Sequence, residues 1–212
     1  MEYKLEDNVE KKLSLNDIEI NLHEGRVGIL HSGGADSTIL LYILMSNLKS
    51  VVHVYTMANK KKERWNSKVA LEVIGKCIDL TNNNNVIHHS YFAQEQTFDS
   101  LFGGSKQFLN DLDIMYTGAT SLPPDEDLKY FSNTTPLYDK RNPNIKRPVY
   151  NDKYYIPFFN YNKKDISELY KLLNVTDSLF PYTRSCESLT QFTGHCGECW
   201  WCEERKWAFG KT

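Results

Sequence analysis

Between Val27 and Leu48 the chain passes from a compact apolar run, through two adjacent glycines, into apolar residues at helical spacing. Val27–Leu30, broken only by Gly28, suits a strand covered on both faces. His31-Ser32-Gly33-Gly34-Ala35-Asp36-Ser37-Thr38 forms a sharp turn, and Leu40, Leu41, Leu44, Met45 and Leu48 then repeat with helical periodicity. Glycine lets the backbone turn tightly and approach a ligand with no Cβ in the way. The start of the following helix offers unpaired N–H groups and the positive end of the helix dipole. Ser32, Ser37 and Thr38 add hydroxyl donors. The combination reads as a polyphosphate site at the carboxyl end of a strand, where open α/β sheets take their ligands. A plain strand-to-helix turn capped by Asp36 or Ser37 is the blander reading, and the serines flanking the glycines weigh against it. No Lys follows the glycines, so this is not the G-K-[ST] loop, and the three-glycine dinucleotide spacing is absent.

The rest of the chain extends the same architecture. Ile18, Ile20 and Leu22 alternate with polar residues as in a short half-buried strand. Val51–Thr56, Val86–Ser90 and Ile114–Gly118 read as further strands. Helices are expected from about Asn66, over Glu95–Leu112 with a break near Gly103-Gly104, and from an Asn162 cap to about Leu173. Strand and helix alternate, which predicts an α/β fold: a parallel sheet with helices on both faces. Ala119–Lys153 is rich in proline and lacks periodicity, the pattern of a lid or an irregular loop. Lys60–Arg64 reads as a solvated turn, His88-His89 as a strand end and Cys77 as a core residue. The chain divides into an N-terminal extension (1–26), a nucleotide-binding α/β domain (27–182) and a cysteine-bearing tail (183–212).

Four of the five cysteines, Cys186, Cys196, Cys199 and Cys202, fall close together at the C-terminal end. Two-residue gaps let neighbouring thiolates face one ion, and Gly194 and Gly197 allow the turns between them. Four soft ligands with no open position point to a structural zinc knot; an iron–sulfur cluster is the rival that thiolates alone leave open. Clustering of this kind fits a reducing cytoplasm better than a secreted disulfide framework. The longest apolar run, Ile39–Met45, is too short to span a bilayer, and Met1–Lys12 lacks a secretory core. A formal charge of -2 gives no overall positive field for nucleic acid.

Ser-Gly-Gly-x-Asp-Ser at Ser32–Ser37 resembles the loop of the PP-loop ATP pyrophosphatases, the adenine-nucleotide α-hydrolase-like fold. The resemblance implies that ATP is cleaved to AMP and pyrophosphate while an acid is adenylated. It assigns His31, Ser32, Gly33, Gly34, Ala35, Asp36, Ser37 and Thr38 to the nucleotide, with Asp36 near magnesium, Ser37 among the catalytic groups, and adenine near Ile29–His31 and Tyr55–Met57. The tail His195-Cys196-Gly197-Glu198-Cys199-x-x-Cys202-x-x-Arg205-x-x-Ala208-Phe209 is similar to that of the 7-cyano-7-deazaguanine synthase family. Ile156-Pro157 followed by Asn162-Lys163-Lys164-Asp165-Ile166, and Tyr116-Thr117-Gly118-Ala119, resemble further stretches of that family. The resemblance implies ATP, magnesium and zinc as cofactors, 7-carboxy-7-deazaguanine and ammonia as small-molecule substrates, and a nitrile product formed through an acyl adenylate and an amide. Lys163 would then contact phosphate; as a bare sequence position it is equally a surface charge. That family is commonly dimeric, so a homodimer is expected, with no membrane and no direct nucleic-acid partner. Thr120–Asp127 departs from the family's substrate-side segment, which leaves open an enzyme that stops at the amide or takes another amine. A zinc-knotted tRNA-binding protein with a relic loop is the reading from a different class.

Overall fold

The computed structural model describes residues 9–23, 25–59, 66–93, 105–131, 144–186 and 194–212. Two strands, β1 (Val9–Leu15) and β2 (Ile18–His23), form an antiparallel hairpin. Six more, β3 (Val27–Leu30), β4 (Val52–Asn59), β5 (Val86–Ala93), β6 (Ile114–Thr117), β7 (Val149–Asn151) and β8 (Tyr154–Ile156), make one sheet of order β5-β4-β3-β6-β8-β7. All neighbours in it are parallel except β7, which pairs antiparallel with β8. The chain thus forms the expected α/β fold, with a sheet that is parallel but for the unforeseen β7.

Side chains of period two sort themselves onto the two faces. Val27, Ile29, Val52, Val54, Ile114, Tyr116 and Tyr155 enter the larger core. Met115, Tyr55 and Tyr154 enter a smaller core on the other face with Leu109 and Leu112. The larger core is covered by α1 (Ala35–Asn47), α2 (Asn66–Thr81) and, later in the chain, α4 (Lys163–Leu172). Helix α1 is buried nearly all round, from Ala35 to Met45, as an apolar helix wedged between layers must be. The smaller core is closed by a 3-10 turn, Lys106–Asp111, where an α-helix was expected. Residues 94–104, the remainder of that expected helix, and Lys60–Arg64 lie outside the described residues.

Three elements differ from the expectation. The segment 1–26 supplies a whole hairpin rather than one strand, and β2 is part of the main core. Ile20 and Leu22 are 0% and 1% exposed, and full burial of one such side chain contributes roughly 1.5–3 kcal/mol. The Pro-rich segment contains a short helix, α3 (Asp125–Leu128), and strand β7, with 132–143 outside the described residues. Strand β5 continues to Ala93, so His88 and His89 sit inside it rather than at its end. There His89 pairs with His53 (3.1 Å) and His88 with the Thr56 hydroxyl (2.9 Å).

Helix α4 begins where expected. The Asn162 side chain accepts from the amides of Lys164 and Asp165, and Asp165 accepts from the Asn162 amide, a complete capping box. The last helix, α5 (Trp200–Phe209), ends at Gly210 in the left-handed conformation. Phe209 stacks on Phe180 at 3.9 Å, which holds the tail against the main core. Among the described residues no helix is long and apolar enough to cross a membrane.

Candidate nucleotide and metal site

The sheet order places the glycine turn at a reversal. From β3 the chain moves outward to β4 and β5, then returns to the other side of β3 to form β6. Crevices at such reversals, beyond the carboxyl ends of the strands, are where open α/β sheets bind ligands. Ser32–Gly34 and Gly118 occupy this crevice, following β3 and β6.

The backbone there is tightly determined. His31 donates its amide to the Tyr55 carbonyl at 2.9 Å, pinning the turn to β4. Gly33 has φ +82°, a conformation that favours glycine, and a Cβ on it would stand 2.6 Å from Val69 Cγ1. Gly34 occupies the N-cap position of α1, and no side chain caps that helix end. Its first-turn amides therefore remain directed out of the helix, the arrangement that receives an anion. Ser32 and Ser37 brace the turn from within: the Gly34 amide donates to Ser32 Oγ (3.3 Å) and Ser37 Oγ to the Gly34 carbonyl (3.3 Å). On the opposite wall, a Cβ on Gly118 would lie 2.7 Å from the Ser37 nitrogen and 2.9 Å from the Asp36 carbonyl carbon. Only glycine lets the end of β6 lie this close to the helix start.

His31, assigned to the nucleotide, turns its ring into the protein. It is 2% exposed, with Nε2 hydrogen-bonded to Thr38 Oγ1 at 3.3 Å. Burial, with a smaller contribution from His88, lowers its pKa to about 3, so the ring is neutral. Thr38 is likewise fully buried, and its amide closes the first helical turn onto Gly34 at 3.1 Å. Tyr55, placed near adenine by the resemblance, lies in the smaller core, stacked on Phe108 at 4.7 Å.

Lys163 is neither a surface charge nor an open phosphate ligand. Its side chain is 5% exposed, and Nζ lies 3.0 Å from Asp36 Oδ2 and 3.0 Å from Glu204 Oε2. Burial disfavours the ammonium, but the carboxylates of Asp36 and Glu204 outweigh it and raise the pKa above its ordinary value. The second Asp36 oxygen, Oδ1, is buried with no hydrogen-bond partner among the described residues, and could serve as a ligand to a divalent cation. Glu204 has no sequence signal as a site residue, because two positions after a cysteine on a helix it reads as a solvated charge.

The four cysteines converge as their spacing predicts. Their Sγ atoms all lie within 4.8 Å of one another, with Cys196 and Cys202 at 3.8 Å. Four thiolates around zinc at about 2.3 Å stand roughly 3.8 Å apart, so this donor set fits a tetrahedral metal. Amides of Cys196 and Cys199 donate to the sulfurs of Cys186 (3.4 Å) and Cys196 (3.3 Å), which favours the thiolate form. Gly194 and Gly197 have φ +83° and +81°, supplying the expected turns. Cys77 is buried elsewhere in the main core, and burial pushes its thiol up to about 12.

Between α2, residues 180–184 and the tail, a cleft of about 380 Å³ opens beside the glycine turn. Val69, Tyr182, Arg184, His195 and Arg205 line it, and the Arg184 amide donates to the Gly33 carbonyl at 2.8 Å. The described part of the Pro-rich segment seats on the tail. Phe131 stacks on Trp200 at 4.5 Å, and Asp127 accepts from Trp207 Nε1 and Lys164 Nζ, each at 3.2 Å. Two of the three tail tryptophans thus pack against this segment, while Trp201 is 37% exposed.

No family model matches the chain, and no curated protein does. Among solved structures it is similar to the NH3-dependent NAD synthetase of Campylobacter jejuni in complex with nitrate, at 15% identity over 73% of this chain and 66% of that one, with a TM-score of 0.42. The chain thus spans just under two thirds of that enzyme's length. It is also similar to the NMN synthetase of Francisella tularensis, at 16% identity over 88% of this chain and 78% of that one, with a TM-score of 0.45.

Proposed function

We propose that this chain is an ATP-dependent ligase that adenylates a carboxylic acid and transfers the acyl group to ammonia. One observation carries the reading: an uncapped helix start beneath Gly33 and Gly34, at the reversal point of a parallel sheet, with Gly118 holding the opposite wall against it. Such a site offers fixed backbone donors to a polyphosphate and requires no nucleophilic side chain. The substrate carboxylate oxygen attacks the α-phosphorus of ATP and the bond to pyrophosphate breaks. Ammonia then attacks the acyl carbon and AMP leaves, giving the amide.

The resemblance of the tail and of Ile156–Ile166 extends this proposal to 7-carboxy-7-deazaguanine as the acid. In that case a second ATP activates the amide oxygen, and loss of AMP and protons leaves 7-cyano-7-deazaguanine. The work of the protein is placement and charge neutralisation. Ser32 and Ser37 shape the turn, the first amides of α1 face the departing pyrophosphate, and Lys163 with Asp36 borders it. Magnesium, held at Asp36 Oδ1, would neutralise charge on the phosphates. Zinc in the cysteine cluster would have a structural part, in a reducing cytoplasm where the thiols stay free. A homodimer with no membrane or nucleic-acid partner completes the proposal.

Mass spectrometry of the product from 7-carboxy-7-deazaguanine, ATP and ammonium tests it directly. A nitrile supports the full reading, and an amide supports the ligase but not the second activation. Absence of ATP–pyrophosphate exchange with this acid and with other aromatic carboxylates would overturn it.

A further inference from the structure

Helix α5 starts in the cysteine cluster, with Cys199 at its N-cap and Cys202 in its first turn. The two residues that follow Glu203 both turn inward. Glu204 is 3% exposed and holds Lys163, which in turn holds Asp36 in the first turn of α1. Arg205 is 1% exposed and donates to Thr183 Oγ1 (2.6 Å) and the Phe180 carbonyl (3.1 Å). One residue on from Thr183, the Arg184 amide grips the Gly33 carbonyl at 2.8 Å. One helix thus reaches the glycine turn by two routes: through a buried chain of charges to Asp36, and through the 180–184 segment to Gly33.

We infer that Glu204 and Arg205 are positioning residues through which the metal-bearing tail sets the conformation of the Ser32–Ser37 turn. Neither reaches that turn directly. Glu204 takes one side of the Lys163 ammonium, so that the other side is fixed against Asp36. Without Glu204 the ammonium would close onto Asp36 alone, and its place at the mouth of the turn would no longer be determined. Arg205 has no carboxylate in an ion pair with it among the described residues, yet it is buried beside the cluster. Cys199 at the N-cap and Cys202 in the first turn would fasten the start of this helix to a bound metal. The register of α5, and with it both tethers, therefore depends on the cluster being filled.

The inference rests on the reading of the Ser32–Ser37 turn as a phosphate site, and two measurements separate their fates. The first is amide hydrogen exchange in the peptide covering Gly33–Thr38, in the full zinc-loaded chain. In Glu204→Gln it should quicken by roughly tenfold, a common size for coupling between linked sites, with zinc content retained. Stripping zinc from the unaltered chain should quicken the same peptide. Arg205→Lys, which keeps the charge but loses the fork, provides a second variant should Glu204→Gln fold poorly. Unchanged exchange in both variants overturns the inference, whatever the chain binds. The second measurement is the affinity for inorganic pyrophosphate. Removing a negative charge beside an anion site would tighten binding if Glu204 acted only as a charge, whereas loss of positioning weakens it. Tighter binding in Glu204→Gln overturns the inference. No pyrophosphate binding by the unaltered chain, with the exchange effect present, overturns the phosphate reading and supports the tether.

Discussion

The glycine turn and the cysteine cluster are two candidate sites among the described residues, and they are built from opposite materials. The turn is almost all backbone: its donors are amides at the start of α1, and its side chains serve to brace or to clear space. The cluster is almost all side chain, four sulfurs within 4.8 Å of one another, one of them from the first turn of α5. A backbone site inherits its shape from the strand and helix on either side and persists when a ligand leaves. A side-chain site of four like-charged ligands is held together by the ion it binds. The first should therefore keep its stability when its ligand leaves, and the second should lose stability when its ion leaves.

The strongest way to break that contrast is at the cluster. Cys199→Ser is expected to release the metal, about one zinc per chain by metal analysis, and to cost at least about 3 kcal/mol, near 10 °C in Tm for a chain of this size. A variant that kept its metal and its Tm would show that the tail is held by packing alone. Next in size is Gly118→Ala, where the new Cβ meets backbone of Asp36 and Ser37 that has no rotamer to change. Overpacking of this kind costs about 1–3 kcal/mol, and pyrophosphate binding should be lost while zinc content is unchanged. An unaltered affinity would mean that the two walls of the crevice need not touch.

A smaller effect concerns pH. His31 has a pKa of about 3 in the folded chain and the ordinary 6.5 unfolded, so the unfolded state binds the extra proton. Its stabilising contribution is complete above about pH 6.5 and declines as pH falls toward 3, by up to about 1.4 kcal/mol per unit. Denaturant unfolding of His31→Gln between pH 7 and 5 should show a shallower slope than the parent chain. Equal slopes would place the acid sensitivity elsewhere. The smallest stability effect is expected at Asp36→Asn, within about 1 kcal/mol because Lys163 keeps Glu204 as a partner. Pyrophosphate exchange should nevertheless disappear, which sharpens the contrast between a stable turn and an active one.

The geometry of both candidate sites was legible in the sequence because each is local: a strand, two glycines and a helix in one stretch, and cysteines at two-residue gaps. The residues joining them were not. Lys163 stood out at a helix start, but its burial depends on α4 and α5 packing together, a contact between residues 41 positions apart. Glu204 and Arg205 gave no signal, since charges on a helix are most often solvated. Strand β1 escaped because Lys11, Lys12 and Ser14 hide the alternation of Leu13 and Leu15. Strands β7 and β8 are three residues each, too short for periodicity, and are joined by a turn with Asp152 at φ +52°.

The docking of the N-terminal hairpin has a consequence for the order in which the chain can fold. The Asn21 amide donates to Tyr155 Oη and the Asn21 side chain to Tyr150 Oη, across 134 and 129 residues, and His23 donates to Tyr116 Oη across 93. During synthesis the hairpin leaves the ribosome before the main sheet, and Tyr150 and Tyr155, which receive it, arrive after most of that sheet. At about 5–20 residues per second, Ile20 and Leu22 wait about 7–27 seconds for their covering layer. A two-stranded hairpin alone is marginal in water, so this early-made piece is secured only after the sheet that follows it. Nascent chains cut short before Tyr150 should thus expose these residues to proteases and holdases, while chains released after Ile156 should protect them.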